Sequence, residues 1–195
     1  IAFYKGTGVK MNRVIKFIFL LFIFTPFLYG IPVEDVEVLN NRDYFLRTIE
    51  MIKNAEKTID IAMLEVHASF DREGDPIREL VDALVFAHNK GVKVRLIVES
   101  SNWNKNSTRR NSEAVDYLGK HDVTAYYDDP DTTLHAKMLI IDSLYTIIGS
   151  TNWSYYAIAQ NGESSVSMKS KEVAKYYLEK FIEPIIKRST KDLKI

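Results

Sequence analysis

The segment from Leu134 to Ser154 reads L-H-A-K-M-L-I-I-D-S-L-Y-T-I-I-G-S-T-N-W-S and concentrates groups suited to one kind of chemistry. His135 and Lys137 are two residues apart, so on a strand both side chains leave the same face. An imidazole and an ammonium held side by side on a rigid strand suit a phosphoryl group: one attacks or moves a proton while the other neutralises oxyanion charge. Asp142 stands seven residues beyond His135, an odd separation that points it to the opposite face or into a turn. Its first reading is therefore as a structural carboxylate. Metal ligation by His135 and Asp142 is disfavoured because Lys137 would repel a cation placed between them, and neither a metal nor a cofactor is expected.

The apolar runs Met138–Ile141 and Ile147–Ile148 flank Asp142–Tyr145, the natural reversal of a hairpin. With Ser143 and Leu144 as a two-residue loop, His135 would face Asn152 and Lys137 would face Ser150. The hairpin then gathers an imidazole, an ammonium, a hydroxyl and an amide around one spot. Gly149 would let the backbone approach an anion closely, and Ser150 would add a donor. Trp153, at the hairpin end, is expected in the core.

The elements that must hold this hairpin alternate between strands and helices after Pro32, the pattern of an α/β fold. Strands are expected near Val36–Leu39, at Thr58–Leu64, at Val92–Val98 and at Val123–Tyr127. Helices are expected from about Asp43, over Pro76–Asn89 with Gly91 as its terminating glycine, briefly over Ser112–Gly119, and over Glu172–Ile186, where Pro184 should kink or end the last one. The polar stretch 100–111, S-S-N-W-N-K-N-S-T-R-R-N, reads as a loop that could face a substrate through Lys105, Arg109 and Arg110. Asp128–Thr133 reads as an acidic turn.

The stretch resembles the H-x-K-x4-D-x6-G-S-x-N motif of the phospholipase D superfamily, with His135, Lys137, Asp142, Gly149, Ser150 and Asn152 matching in type and spacing. The G-V-K-V-R-L-I-V strand and Asn161-Gly162-Glu163 are also similar to the single-motif bacterial endonuclease branch, with Gly162 where a residue such as alanine is commoner. The resemblance covers residues 35 to 187. It implies an α/β/α sandwich with a mixed central β-sheet and a metal-independent phosphodiesterase working through a phosphohistidine on His135. Lys137, Ser150 and Asn152 would hold the non-bridging oxygens, and Glu163 would hydrogen-bond an imidazole nitrogen and fix its tautomer. Single-motif members pair two chains, and His67, His88 and His121 lack an H-x-K-x4-D context. A homodimer with a composite active site is therefore implied, acting on DNA or RNA, or alternatively on phospholipid headgroups. A binding module without catalysis is disfavoured by the intact motif.

The chain as a whole has 195 residues, 46% hydrophobic and 27% charged, which is enough to bury one sizeable core. Cysteine is absent, so disulfides, thiolate metal sites and a cysteine nucleophile are excluded. The formal net charge is zero, with 26 basic and 26 acidic residues. Residues 1–30 hold Lys5, Lys10, Arg13 and Lys16 and no acid, so the remainder carries a net charge of about −4 and a basic groove would have to be local. Met11, as a true start, followed by basic residues and the apolar run Phe17–Tyr29, fits a signal peptide or an uncleaved membrane anchor over residues 1–30. The catalytic domain would then be residues 31–195, exported to a periplasmic or external location, or held at a membrane through residues 14–29.

Overall fold

The computed structural model describes residues 30–192. The signal or anchor expectation and Met11 lie outside the described residues. A seven-stranded sheet forms the centre: β1 (Asp35–Asn40), β2 (Thr58–Met63), β3 (Lys93–Val98), β4 (Thr124–Tyr127), β5 (Lys137–Ile141), β6 (Tyr145–Gly149) and β7 (Ser164–Lys169), in the spatial order β1-β7-β6-β5-β2-β3-β4. The strands β2, β3 and β4 run parallel, and the remaining pairings are antiparallel, so the sheet is mixed. Helices α1 (Arg42–Lys53), α2 (Pro76–Asn89), α3 (Lys105–Gly119) and the short α4 (Tyr155–Ala159) contribute to a core on one face. On the other face lie α5 (Lys171–Tyr177) and α6 (Glu183–Arg188).

Strand alternation explains these two cores. Leu139 and Ile141 of β5 join the larger one, while Met138 and Ile140 join the cluster built with Ala174, Ile182 and Ile185. The result is the α/β/α sandwich with a mixed sheet. Helix α2 runs from Pro76 as expected and is followed by Gly91 with φ 92°, and Asp75, which was not singled out in the sequence, caps it by accepting from the N–H groups of Ile77 (3.0 Å) and Arg78 (2.9 Å). The two layers are also tied by charge. Arg95 bridges Asp60 (2.5 Å) on β2 to Glu183 (2.8 Å) on α6, and losing one partner of a largely buried pair of this kind costs roughly 3–5 kcal/mol.

The structure corrects four expectations. Residues 105–111 are the first turns of α3 and not a loop, and only Ser100–Asn104 connects. The helix was hidden because its buried face there is polar: Ser107, Thr108 and Asn111 are buried, so no apolar period marks it. The last helix is not continuous; a π-helical turn (Leu178–Ile182) separates α5 from α6, and Pro184 sits in the first turn of α6. Strand β7 and helix α4 were not anticipated. Finally, the β5–β6 ladder pairs Met138 with Ile148 and Ile141 with Tyr145, so the loop has three residues, Asp142-Ser143-Leu144, and the register differs by one from the two-residue reading. Asp142 (φ 55°) and Ser143 (φ 52°) both have the positive φ of the central residues of a type I′ turn, which the Leu144 N–H closes on Ile141 O (3.0 Å).

Candidate active site

The parallel strands β2 and β3 end at the same edge of the sheet, and β5 begins there, with Lys137 opposite Met63. Carboxyl ends of parallel strands are where α/β folds place their ligands, because the loops are free of pairing there. Leu134 and Ala136 pack into the smaller core, so His135 and Lys137 take the alternate positions on the other side. His135 is exposed and Lys137 is buried at 9% exposure. The Lys137 ammonium donates to the His135 carbonyl (2.9 Å) and lies 3.4 Å from His135 Nδ1. Burial pushes this ammonium below the ordinary lysine value, while the carboxylates of Glu163 and Glu65 act in the opposite direction.

The one-residue register shift changes the neighbours. Continuing the β5–β6 pairing places Gly149 opposite Lys137 and the buried Thr151 opposite His135. Ser150 is exposed and accepts at its hydroxyl from Ser164 N (3.1 Å), while its own N–H donates to Ser164 O (3.0 Å). That hydroxyl also donates to Glu163, whose second oxygen takes Asn161 Nδ2 (3.1 Å). The Glu163 carboxylate is thus held by Ser150 and Asn161 and not by the His135 imidazole, as the resemblance had implied. Asn152 is half-buried, and its amide oxygen has no hydrogen-bond partner among the described residues. An unpaired buried acceptor costs about 1–3 kcal/mol, a cost that a ligand donor at this spot would offset.

Two motif residues serve the framework. A Cβ on Gly149 would collide with the Ser165 side chain, with Ser164 O, and with Ser165 Cα at 2.5 Å, so the glycine lets β6 and β7 close on each other. Asp142 stands at the far end of β5, where its carboxylate accepts from the N–H groups of Glu56 (3.0 Å), Lys57 (2.7 Å) and Thr58 (3.0 Å). With five strand residues between it and the site edge, it is roughly 16 Å away, out of contact with His135 and Lys137.

Trp153 takes the core position expected of it, and Tyr44, Glu65 and Asn111, which carried no sequence signal, join it in holding the site edge. Trp153 is fully buried and donates to Tyr44 OH (3.1 Å), whose own ionisation burial pushes up to about 12. Its N–H donates to Glu65 O (3.0 Å) and its carbonyl accepts from His67 N (2.8 Å), which fixes Asn152 beside the segment that follows β2. Glu65 holds Arg110 of α3 at 2.9 Å. Asn111, fully buried, accepts from Val66 N (2.8 Å) and donates to Leu64 O (3.0 Å) and Glu99 O (2.8 Å), clamping the ends of β2 and β3 together. Of the other histidines, His88 and His121 close α2 and α3 at the opposite edge, and His67 alone shares the site edge. Among the described residues no group of three or more acidic or histidine side chains could hold a metal ion.

Comparison with known proteins returns a family model described as "Cardiolipin synthase, PLD-like domain" over residues 48–185. The chain is 29% identical over 103 residues to the mitochondrial cardiolipin hydrolase of Canis lupus familiaris, covering 53% of this chain and 39% of that protein. It is 27% identical over 103 residues to a phospholipase D of Rickettsia felis, covering 53% of this chain and 49% of that one. The chain thus spans less than half the length of either relative. Its fold is similar to that of Nuc, a phospholipase D family member from Salmonella typhimurium, with a TM-score of 0.68 at 20% identity over 80% of this chain and 96% of that one.

Proposed function

Because the chain belongs to the phospholipase D-like family, we propose that it hydrolyses phosphodiesters without a metal, with His135 as the nucleophile and nucleic acid as the substrate class. The observation that carries the chemistry is the exposed His135 imidazole beside a lysine ammonium whose charge is desolvated. In the first step an imidazole nitrogen bonds to phosphorus while the P–O bond to the leaving alcohol breaks, and a general acid returns a proton to that oxygen. Water then attacks the phosphohistidine, giving up a proton to the same acid-base group, and the free imidazole and a phosphomonoester are released. In this reading Lys137 and the amide NH2 of Asn152 would hold the non-bridging oxygens as they gather charge.

The general acid is a second His135 from a twofold-related chain in this reading, since one chain supplies a single H-x-K pair. Nucleic acid is favoured by Lys105, Arg109 and Arg110 at the start of one helix, where phosphates could draw the two arginines from their partners Glu113 and Glu65. Phospholipid is the second reading, supported by Trp103 at 71% exposure and Tyr156 at 65%, and by the cardiolipin hydrolase name of a relative.

The test is to incubate the purified chain in EDTA with plasmid DNA, RNA, and vesicles of labelled phosphatidylcholine or cardiolipin. Cleavage of DNA or RNA that is lost in His135→Asn supports the favoured reading. Headgroup release alone transfers the substrate to lipid, and activity that EDTA removes and a divalent cation restores overturns the metal-free chemistry.

A further inference from the structure

The loop between β4 and β5, residues 128–134, delivers His135 to the site, and it is fastened at both ends by charged side chains. At its start Asp128, fully buried, donates its N–H to Val98 O (2.9 Å) and accepts Arg188 Nε and Nη2 at 2.8 Å each. At its end the N–H of Leu134, the residue before His135, donates to Glu99 Oε2 at 2.5 Å. Glu99 is 1% exposed, and its other carboxylate oxygen is buried with no partner. A carboxylate so placed is costly, since burial penalises its charge and one oxygen goes unsatisfied. A leucine or valine would continue the apolar run of β3 at no such cost.

We propose that Glu99 is a positioning residue, which sets the backbone, and hence the imidazole, of His135 by gripping the Leu134 N–H. Three features support this. Glu99 is itself rigid, because its N–H donates to Met63 O (3.2 Å) and its carbonyl accepts from Asn111 Nδ2 (2.8 Å). The grip falls one residue from the imidazole, so that a lost bond becomes a displacement of the nucleophile with little averaging in between. The Leu134 side chain is buried in the smaller core, so the core fixes one side of this residue and Glu99 the other. Bond-forming steps are sensitive to such placement, and a shift of about 1 Å can cost about a hundredfold in rate.

This inference rests on the assignment of His135 as the nucleophile, and the experiment separates the two. Glu99→Gln keeps an oxygen that can accept from Leu134, whereas Glu99→Ala does not. With bis(p-nitrophenyl) phosphate as the probe, Glu99→Ala should lower kcat about 30-fold or more with KM within about twofold, while Glu99→Gln should stay within about threefold of the parent in both. Rates are to be expressed per folded molecule by circular dichroism. In parallel, amide NMR should show the Leu134 proton moved far downfield by its short bond in the parent, and upfield with faster exchange in Glu99→Ala. A Glu99→Ala rate within twofold of the parent would overturn the proposal, as would a Leu134 amide that does not respond. An inactive parent with a responsive amide would instead overturn the nucleophile assignment and leave the grip intact.

Discussion

The Ser150 hydroxyl donates to Glu163, and the Ser150 N–H is spent on Ser164 O (3.0 Å), so Ser150 can reach a phosphate only by letting go of the carboxylate. Glu163 also lies close enough to Lys137 to favour its charged form. A phosphate drawn to the Ser150 hydroxyl would therefore compete with a carboxylate already placed there.

Glu163→Gln should reduce that competition. Steady-state kinetics on a soluble diester should show KM unchanged or lowered, because a negative charge beside Lys137 is gone, with kcat reduced about tenfold or more if the carboxylate assists the transition state. A raised KM with intact kcat would mean that Glu163 holds the substrate instead.

His135→Asn should remove turnover by more than about 10³-fold, and because the side chain is exposed, the thermal midpoint should stay within a few degrees. Mixed dimers of parent and His135→Asn chains extend the test to the composite site. They should be disabled or severely slowed, since each pair lacks one histidine. Mixed dimers that keep half the parental rate would refute the composite site and direct attention to His67, because His121 packs against Tyr117 at the other edge.

Gly149→Ala should destabilise the fold by about 2–3 kcal/mol in urea titration, since the new methyl meets backbone on β7. Adding Ser165→Gly should not restore stability. The Ser164 carbonyl and Ser165 Cα remain in place, so full rescue would show that the obstacle was only the serine hydroxyl.

Asp142→Ala should cost about 2 kcal/mol, because three backbone N–H groups at 56–58 lose their acceptor and a left-handed residue loses its favoured type. The rate per folded molecule should hardly change. A large fall in kcat at constant stability would place Asp142 in the chemistry after all.

Stability should depend on pH through Glu99. Burial, reinforced by the Asp128 carboxylate, raises this carboxyl above its ordinary value near 4.5, while the Leu134 N–H and Arg188 work against it. A group raised in the folded state stabilises it while protonated in both states, and that contribution is lost as pH climbs through the folded value. Glu99→Gln has no such loss. Its urea midpoint should therefore exceed the parent's at pH 8, with the gap closing as pH approaches 4.5, and a gap independent of pH would contradict the shift.

Local signals in the sequence determined the order of most elements, the two-residue spacing that puts His135 and Lys137 on one face, and the core position of Trp153. Alternation and caps act between near neighbours, and the ends of α2 are written in Asp75, Pro76 and Gly91. The tertiary structure decided the rest, because the deciding contacts join residues far apart in the chain. The hairpin register turns on Asp142, which is drawn into the loop by N–H groups 84 to 86 residues away. Gly149 is required by β7, a strand that pairs with β6 and β1 and shows no clean apolar alternation. The start of α3 was hidden because its inner face buries polar side chains that hold strand ends, Asn111 reaching back 45 residues to Val66. Glu99 reads locally as the polar end of a strand, and only the fold brings it 35 residues along the chain to the N–H beside the nucleophile.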